Sequence, residues 1–183
     1  MDKEIFHTIN VLESTKQALR EEDVLKLRDL SNQTIHSACA IQDSGSLMIA
    51  VLVYALSKLI ERKEYLKIKN WDIFVKKFNS FIDLAIKALK DDRIDKFESY
   101  LIMARNTLTS ISINLKHAIQ EVLVKASINK ASRLHEHGIS LGKTANLLGI
   151  TQWELAEYAT QKEYPIPSMD VKKRALMALE FLS

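Results

Sequence analysis

The sequence is poor in the residues that form tight turns. It contains four glycines and two prolines among 183 residues. Sheet folds whose strands are joined by tight turns depend on such residues, so strands are not expected here. Long helices are therefore the expected secondary structure.

The chain has one cysteine, Cys39, so an internal disulfide is excluded and a reducing compartment is favoured. The first fifteen residues carry acidic side chains and no apolar stretch, which argues against a signal peptide. The most apolar run, Leu47 to Leu56, has ten residues, whereas a membrane span needs about 20. We expect that run to be a buried helix and the protein to be cytoplasmic.

The charge of the chain is nearly balanced. Lys and Arg number 26 against 23 Asp and Glu, which leaves a net charge of +3. This small surplus is compatible with a nucleic-acid partner but falls short of the surplus expected of a sequence-indifferent nucleic-acid coat. With 47% hydrophobic residues, the chain is long enough for one buried domain, or for one domain and a small module.

Apolar residues recur at helical spacing over residues 1–126 and predict a bundle of four or five helices. The first helix covers residues 3–20, and a second begins near Asp23. A turn is expected at Asp43–Ser46, followed by a central helix that is apolar on all sides. Asn70 is the expected N-cap of the next helix. The aromatic residues of that helix, predicted to lie in the core, are Trp71, Phe74, Phe78 and Phe81.

Residues 139–159, ISLGKTANLLGITQWELAEYA, predict two short helices joined by a tight turn. Ser140 is a good N-cap for the first helix, and Gly149 supplies the positive φ that the turn requires. Thr151 and Glu154 have the spacing of a capping box at the start of the second helix.

Packing between these two helices is also predicted. Ala145 lies four residues before the turn glycine, where a larger side chain would hinder close approach. Leu148 and Ile150 flank the glycine, and Leu155 should pack back onto the first helix. A small residue, a glycine turn and a buried aliphatic residue in this register are typical of a helix-turn-helix.

Residues of about 130–164 resemble the helix-turn-helix of small prokaryotic DNA-binding regulators, and in particular antitoxin-like proteins of archaea and bacteria. The resemblance covers about a fifth of the chain. No family resemblance is identified for residues 1–125. The positions that carry the resemblance are Gly138, Ile139, Ser140, Leu141, Gly142, Lys143, Ala145, Leu148, Gly149, Ile150, Thr151, Trp153 and Glu154.

The resemblance makes the second helix the recognition helix. Gln152 is the candidate for base contact, because a carboxamide can pair with adenine through two hydrogen bonds. Contacts to phosphates are expected from other residues of the pair and from a later basic cluster. The complete predicted DNA-binding set is Ser140, Lys143, Thr144, Thr151, Gln152, Trp153, Ala156, Thr160, Lys172, Lys173 and Arg174.

Charge argues against DNA contact by the helix pair alone. The second helix carries Glu154 and Glu157 and has no Lys or Arg before Lys162. Lys172–Arg174 is the densest basic cluster of the chain and could supply the missing phosphate contacts. The alternative is that this cluster is only the solvated first turn of a last helix.

A polar stripe on the second helix of the bundle is the other candidate site. Its members, Asn32, His36, Cys39 and Asp43, share one helical face. A metal or ligand pocket is one interpretation, and a polar seam or solvent face is the favoured one. Arg28 and His36 resemble the arginine–histidine motif of helical-bundle ribonucleases. In that motif four to six residues separate the two side chains, whereas seven separate them here.

We therefore expect an all-α, non-enzymatic DNA-binding regulator without metal or cofactor. Residues 1–126 would form the bundle domain, which dimerises or docks a protein partner. Residues 127–183 would form the helix-turn-helix module and a C-terminal helix. The alternatives are a protein–protein adaptor whose helix-turn-helix is structural, and a bundle ribonuclease.

Overall fold

The computed structural model describes residues 3–41, 44–111, 117–118, 120–122 and 140–160. This part of the chain consists of helices and turns and contains no strand, which confirms the predicted all-α class. A short 3₁₀ turn at Glu64–Lys67 follows the third helix. The α-helices are α1 Lys3–Arg20, α2 Val24–Ile41, α3 Ser44–Glu61, α4 Trp71–Lys90, α5 Ile94–Ser110, α6 Leu141–Leu148 and α7 Gln152–Thr160.

Helix α3 is the centre of the bundle, as its uniformly apolar sequence predicts. Every residue from Leu47 to Leu56 is at most 5% exposed. The helix contacts α1, α2, α5 and α6, so it has neighbours on several sides. Its length and composition would allow it to cross a membrane, but 89% of it is buried inside the protein, as in the core helix of a soluble protein.

The predicted boundary between α1 and α2 is confirmed. Helix α1 ends at Arg20, and Asp23 precedes the first residue of α2. The Asp23 carboxylate accepts a hydrogen bond from the backbone N–H of Lys26, 2.9 Å away. This contact satisfies one of the N–H groups that the start of a helix leaves without a partner.

One local prediction in the bundle is wrong, and another is confirmed in position only. The turn expected at Asp43–Ser46 is helical from Ser44 onward, and Asp43 lies outside the described residues. Small residues are needed here because α6 packs on this first turn of α3, where the Ser44 hydroxyl lies 3.0 Å from that of Thr144. Asn70 is the N-cap residue of α4, as predicted, but its side chain makes no capping hydrogen bond; it adopts a left-handed conformation, φ 63°, which asparagine tolerates.

The aromatic residues of α4 pack as predicted, with a gradient from core to rim. Phe74 and Phe78 are buried, whereas Trp71 and Phe81 are half-buried. The rings of Trp71 and Phe74 are stacked, with centroids 4.9 Å apart, and Tyr65 of the 3₁₀ turn packs on Trp71. This cluster closes one end of the bundle.

The helix pair α6–α7 shares the core of the bundle. Its buried apolar residues belong to the same cluster as those of α1 to α5. They are Ala145, Leu147, Leu148, Leu155 and Tyr158. The proposed domain boundary at residue 126 and the C-terminal helix lie outside the described residues, so the division into residues 1–126 and 127–183 stays a prediction.

Candidate nucleic-acid interface

Helix α6 begins and ends as its sequence predicts. The Ser140 hydroxyl accepts a hydrogen bond from the backbone N–H of Lys143, 3.3 Å away. Gly149 ends the helix with φ 72°, and the next N–H, that of Ile150, donates to the carbonyl of Ala145 at 3.0 Å. This closure satisfies a carbonyl of the last turn and redirects the chain into α7.

Helix α7 starts with the predicted capping box. The Thr151 N–H donates to the Glu154 carboxylate at 2.9 Å, and the Glu154 N–H donates to the Thr151 hydroxyl at 3.1 Å. The Thr151 hydroxyl donates in turn to the same carboxylate, 3.0 Å away. Glu154 therefore has a structural role at the start of α7.

The predicted packing between α6 and α7 is also confirmed. Ala145, Leu148 and Leu155 are at most 3% exposed. The absence of a larger side chain at Ala145 allows α7 to approach α6 closely. The two short helices and their turn therefore form as predicted, and their arrangement as a helix-turn-helix stays a prediction.

An arginine of the bundle, which sequence reasoning missed, holds the end of α6. Arg105 of α5 donates from Nη1 to the carbonyls of Asn146 and Leu147, at 2.9 and 2.6 Å. Burial lowers the pKa of its guanidinium. A cation at the carbonyl end of a helix is favourable because the last carbonyls lack intrahelical partners. No local pattern marks Arg105, which lies 41 residues before its first acceptor.

Thr144 is not available to a phosphate, and this part of the predicted site is wrong. Its side chain has no exposed surface. Its hydroxyl lies 3.0 Å from that of Ser44, so it belongs to the interface between α6 and α3. Thr144 and Leu148 are one turn apart on α6, and both are buried.

Lys143 lies on the surface and is paired with the bundle. Its Nζ is 2.7 Å from Oε1 of Glu98 in α5, and its side chain is 49% exposed. Lys143 is the only lysine or arginine within residues 140–160. The positive charge that was expected to contact a phosphate is thus partly balanced by Glu98.

The start of α7 presents an exposed polar and aromatic surface. Thr151, Gln152 and Trp153 are all exposed, and Trp153 is 87% exposed. The Gln152 amide lies against the first turn of α6, since a Cβ added to Gly142 would be 3.0 Å from Nε2. The N-terminal ends of the two helices are therefore adjacent.

The remaining predicted contact residues are only partly placed. Ala156 is half-buried rather than exposed, and Glu157 is exposed. Thr160 is the last residue of α7, and its side chain is not described. The basic cluster Lys172, Lys173 and Arg174 lies outside the described residues, so its place relative to α7 stays a prediction.

The polar stripe of α2 is in part a solvent face. Asn32 and His36 are exposed, as is Arg28. The side chain of Cys39 and all of Asp43 lie outside the described residues. Within the described part of the chain, no three His, Cys, Asp or Glu side chains are grouped as a metal site would need.

Comparison of the chain with family models, with curated proteins and with solved structures finds no match. The resemblance of residues 130–164 to prokaryotic regulators therefore stays a prediction.

Proposed function

We propose that this protein is a non-enzymatic DNA-binding regulator that places the start of α7 in the major groove. The observation that carries the proposal is the exposure of Trp153, at 87%, beside the exposed Thr151 and Gln152. A tryptophan that only packed the helix pair together would be buried. An exposed face at the N-terminal turn of the second helix is where such modules contact base edges.

In this proposal Gln152 reads a base and Trp153 makes apolar contact in the groove. Ser140 and Lys143 stand at the start of α6, next to the Gln152 side chain, and contact the phosphate backbone. Thr151 contributes through its position, because its hydroxyl is engaged in the capping box. Lys172–Arg174 supplies the remaining phosphate contacts.

The bundle would then serve to pair two copies of the chain or to dock a protein partner. A two-fold dimer on DNA would place its recognition helices about 34 Å apart, one turn of the double helix. This arrangement corresponds to a cytoplasmic transcription regulator of the antitoxin-like type.

A protein–protein adaptor is the second candidate, and the charge of the helix pair favours it. Residues 140–160 contain one lysine and two glutamates. An exposed tryptophan is also a common anchor in protein interfaces. In that case Trp153 would insert into a pocket of a partner protein, and phosphate contacts would play no part.

DNA binding can be measured by fluorescence anisotropy on a pool of genomic fragments, as a function of salt. We expect the wild type to bind at low salt and Gln152→Ala to lose sequence preference, by about 1–3 kcal/mol at the contacted base. Lys143→Ala should weaken binding to all fragments alike and reduce the slope of log K against log salt by about one.

Control variants on the bundle show whether a change in DNA affinity comes from α6 and α7 or from substitution of any exposed side chain. Gln33→Ala changes an exposed glutamine of α2 and is the control for Gln152→Ala, and Ile73→Ala removes an exposed apolar side chain of α4. Neither should change DNA binding. Absence of binding by the wild type at low salt would remove the proposal and leave the adaptor.

A further inference from the structure

A cavity of about 170 Å³ lies where one end of α1, α3, α4 and α5 meet. Most of its wall is apolar. The apolar lining residues are Ile5, Ile49, Leu89, Ile94 and Phe97. Ile49, Leu89 and Phe97 are at most 6% exposed, so these walls belong to the packed core and are held in place by it.

The polar lining of the cavity carries negative charge. Glu4 of α1 and Glu98 of α5 both line it, together with Thr8, Gly45 and Ser46. No lysine, arginine or histidine is among the described residues that line it. Lys143 pairs with Glu98 from outside the cavity, and Glu4 is exposed. Apolar walls with two carboxylates, one of them partly balanced by Lys143, still complement an organic cation better than an anionic molecule.

We propose that this cavity binds a small organic ammonium ion with an apolar body, and that its occupancy is communicated to Lys143 through Glu98. The binding step stands on the cavity alone. The effect on DNA rests on the function proposed above. The ligand would act as an effector of the regulator.

The volume sets the size of the ligand. A cavity of roughly 150 Å³ lined by Leu, Ile and Phe side chains can hold benzene. The cavity here has about the same volume, so it fits a ring or a short branched chain that carries one ammonium group.

Glu98 connects the cavity to the helix pair. It lines the cavity, and its Oε1 lies 2.7 Å from Nζ of Lys143 in α6. Its side chain is 17% exposed, so a charge beside it is only partly screened by water. An ammonium ion next to this carboxylate therefore weakens its attraction for Lys143, which becomes more available to a phosphate.

The coupling must be reciprocal. If the cation raises the affinity for DNA by some factor, DNA raises the affinity for the cation by the same factor. Since one lysine is involved, the change in DNA affinity should be small, about two- to fivefold.

The binding step can be tested without DNA, by titrating the ¹⁵N-labelled protein with benzylamine. We expect amide shifts that saturate at residues around Ile49, Phe97 and Glu98. Benzyl alcohol, which has a similar shape and no charge, should bind more weakly, and benzoate should not bind. Absence of saturable shifts with benzylamine, or equal or stronger binding of benzoate, would overturn the proposal.

Two variants locate the site. Glu98→Gln keeps the shape of the side chain and should weaken benzylamine binding about three- to fivefold. Glu61→Gln is the matched control, because Glu61 pairs with Lys58 on α3 and does not line the cavity. Ile49→Phe fills the cavity and should abolish binding; if it fails to fold, the Glu98→Gln comparison still decides. Equal benzylamine affinity in Glu98→Gln and wild type would contradict the site.

The second step is measured as DNA affinity with and without saturating benzylamine. We expect a two- to fivefold increase for the wild type and none for Lys143→Ala or Glu98→Gln. Saturable benzylamine binding with no change in DNA affinity would overturn the coupling between cavity and DNA but would leave the binding site in the cavity supported. If the protein binds no DNA at all, the proposed function fails while the titration still decides on the cavity.

Discussion

Arg105 is the residue through which the bundle holds the turn between α6 and α7. Its guanidinium donates to the carbonyls of Asn146 and Leu147 and packs against Gly149. A hydrogen bond from a charged donor is stronger than one between neutral groups. One side chain thus holds the turn that leads into the helix that we propose reads DNA.

Arg105→Ala should lower the free energy of unfolding by about 2 kcal/mol, because two carbonyls lose a charged donor. Urea unfolding followed by circular dichroism measures the change. Arg93→Ala is the control, since Arg93 makes an exposed ion pair with Asp91 and should cost less than about 1 kcal/mol. Equal losses in the two variants would show that Arg105 does not hold α6.

Gly149 is the glycine of the helix pair at which a side chain should lower the free energy of unfolding most. Its φ is 72°, and an added Cβ would lie 2.6 Å from Nη1 of Arg105. Gly149→Ala should therefore cost more than the roughly 1–2 kcal/mol of the left-handed conformation alone. In the Arg105→Ala background the cost should fall, since the clash is gone, and a double-mutant cycle measures this difference.

Gly142 provides the matched control for that substitution. Its added Cβ would meet only the end of the flexible Gln152 side chain, 3.0 Å away. Alanine is also the better helix former, so Gly142→Ala should change stability by less than about 1 kcal/mol. A loss as large as that of Gly149→Ala would contradict the special place of Gly149.

Titration of the Lys16 amine should lower the free energy of unfolding of the bundle at alkaline pH. Burial lowers the pKa of Lys16, but hydrogen bonds to Asp83 and Glu13 outweigh it and leave the pKa raised above 10.5. Because the pKa of Lys16 is higher in the folded than in the unfolded state, the charged amine stabilises the fold fully at pH values below its pKa in the unfolded chain. This stabilisation is lost as the pH rises through its pKa in the folded protein. The wild type should therefore lose about 1 kcal/mol or less between about pH 9 and about pH 12, beyond what Lys16→Met loses.

That difference is measured by urea unfolding of both proteins across the same pH range. The comparison cancels the titration of tyrosines, which both chains share. A wild type no more sensitive to alkali than Lys16→Met would exclude this role of Lys16.

At the scale of the helix, the capping box controls how α7 begins. Thr151→Ala removes the hydroxyl that accepts from the Glu154 N–H, and should cost about 1 kcal/mol. Hydrogen exchange should rise at the first turn of α7. Thr109→Ala, an exposed threonine at the end of α5, is the control. Unchanged exchange at α7 in Thr151→Ala would mean that packing of Leu155 alone fixes the start of the helix.

The internal geometry of α6 and α7 could be predicted because its determinants are local. Ser140, Gly149 and the Thr151–Glu154 box act within four residues of the groups that they satisfy. A cap or a turn glycine has the same effect in any fold, so the sequence is sufficient. Asn70 shows the limit, since it occupies the predicted N-cap position of α4 but has a left-handed backbone and no side-chain cap.

The contacts between α6 and the bundle could not be predicted from the sequence. The contacts of Arg105, Ser44 and Glu98 with α6 join residues 41 to 100 positions apart. Periodicity shows that a helix has an apolar face but not which helix covers it. The sequence therefore predicts a phosphate contact for Thr144, although the first turn of α3 covers it.

At the scale of the molecule, the helix pair is built into the bundle rather than attached to it. Helix α6 packs on both α3 and α5, and its apolar residues join their core. The direction of α7, which follows α6 through a tight turn, is therefore set by the bundle. Pairing of two bundles would therefore also set the distance between two recognition helices.

The shared core predicts that α6 and α3 open together. Amide exchange measured at increasing urea concentration should give α6 a free energy of opening close to that of α3, because exposing Ala145 and Leu148 also uncovers the first turn of α3. The exposed helix α2 face is not a suitable reference, since surface amides exchange by local fraying. If α6 instead exchanges with a clearly lower free energy than α3, the pair is a separately unfolding module, and the bundle does not set the direction of α7. Arg105→Ala should shift the chain toward separate opening of α6, with faster exchange in α6 and unchanged exchange in the centre of α3, since the guanidinium donates to the end of α6 and to Asn106 of its own helix.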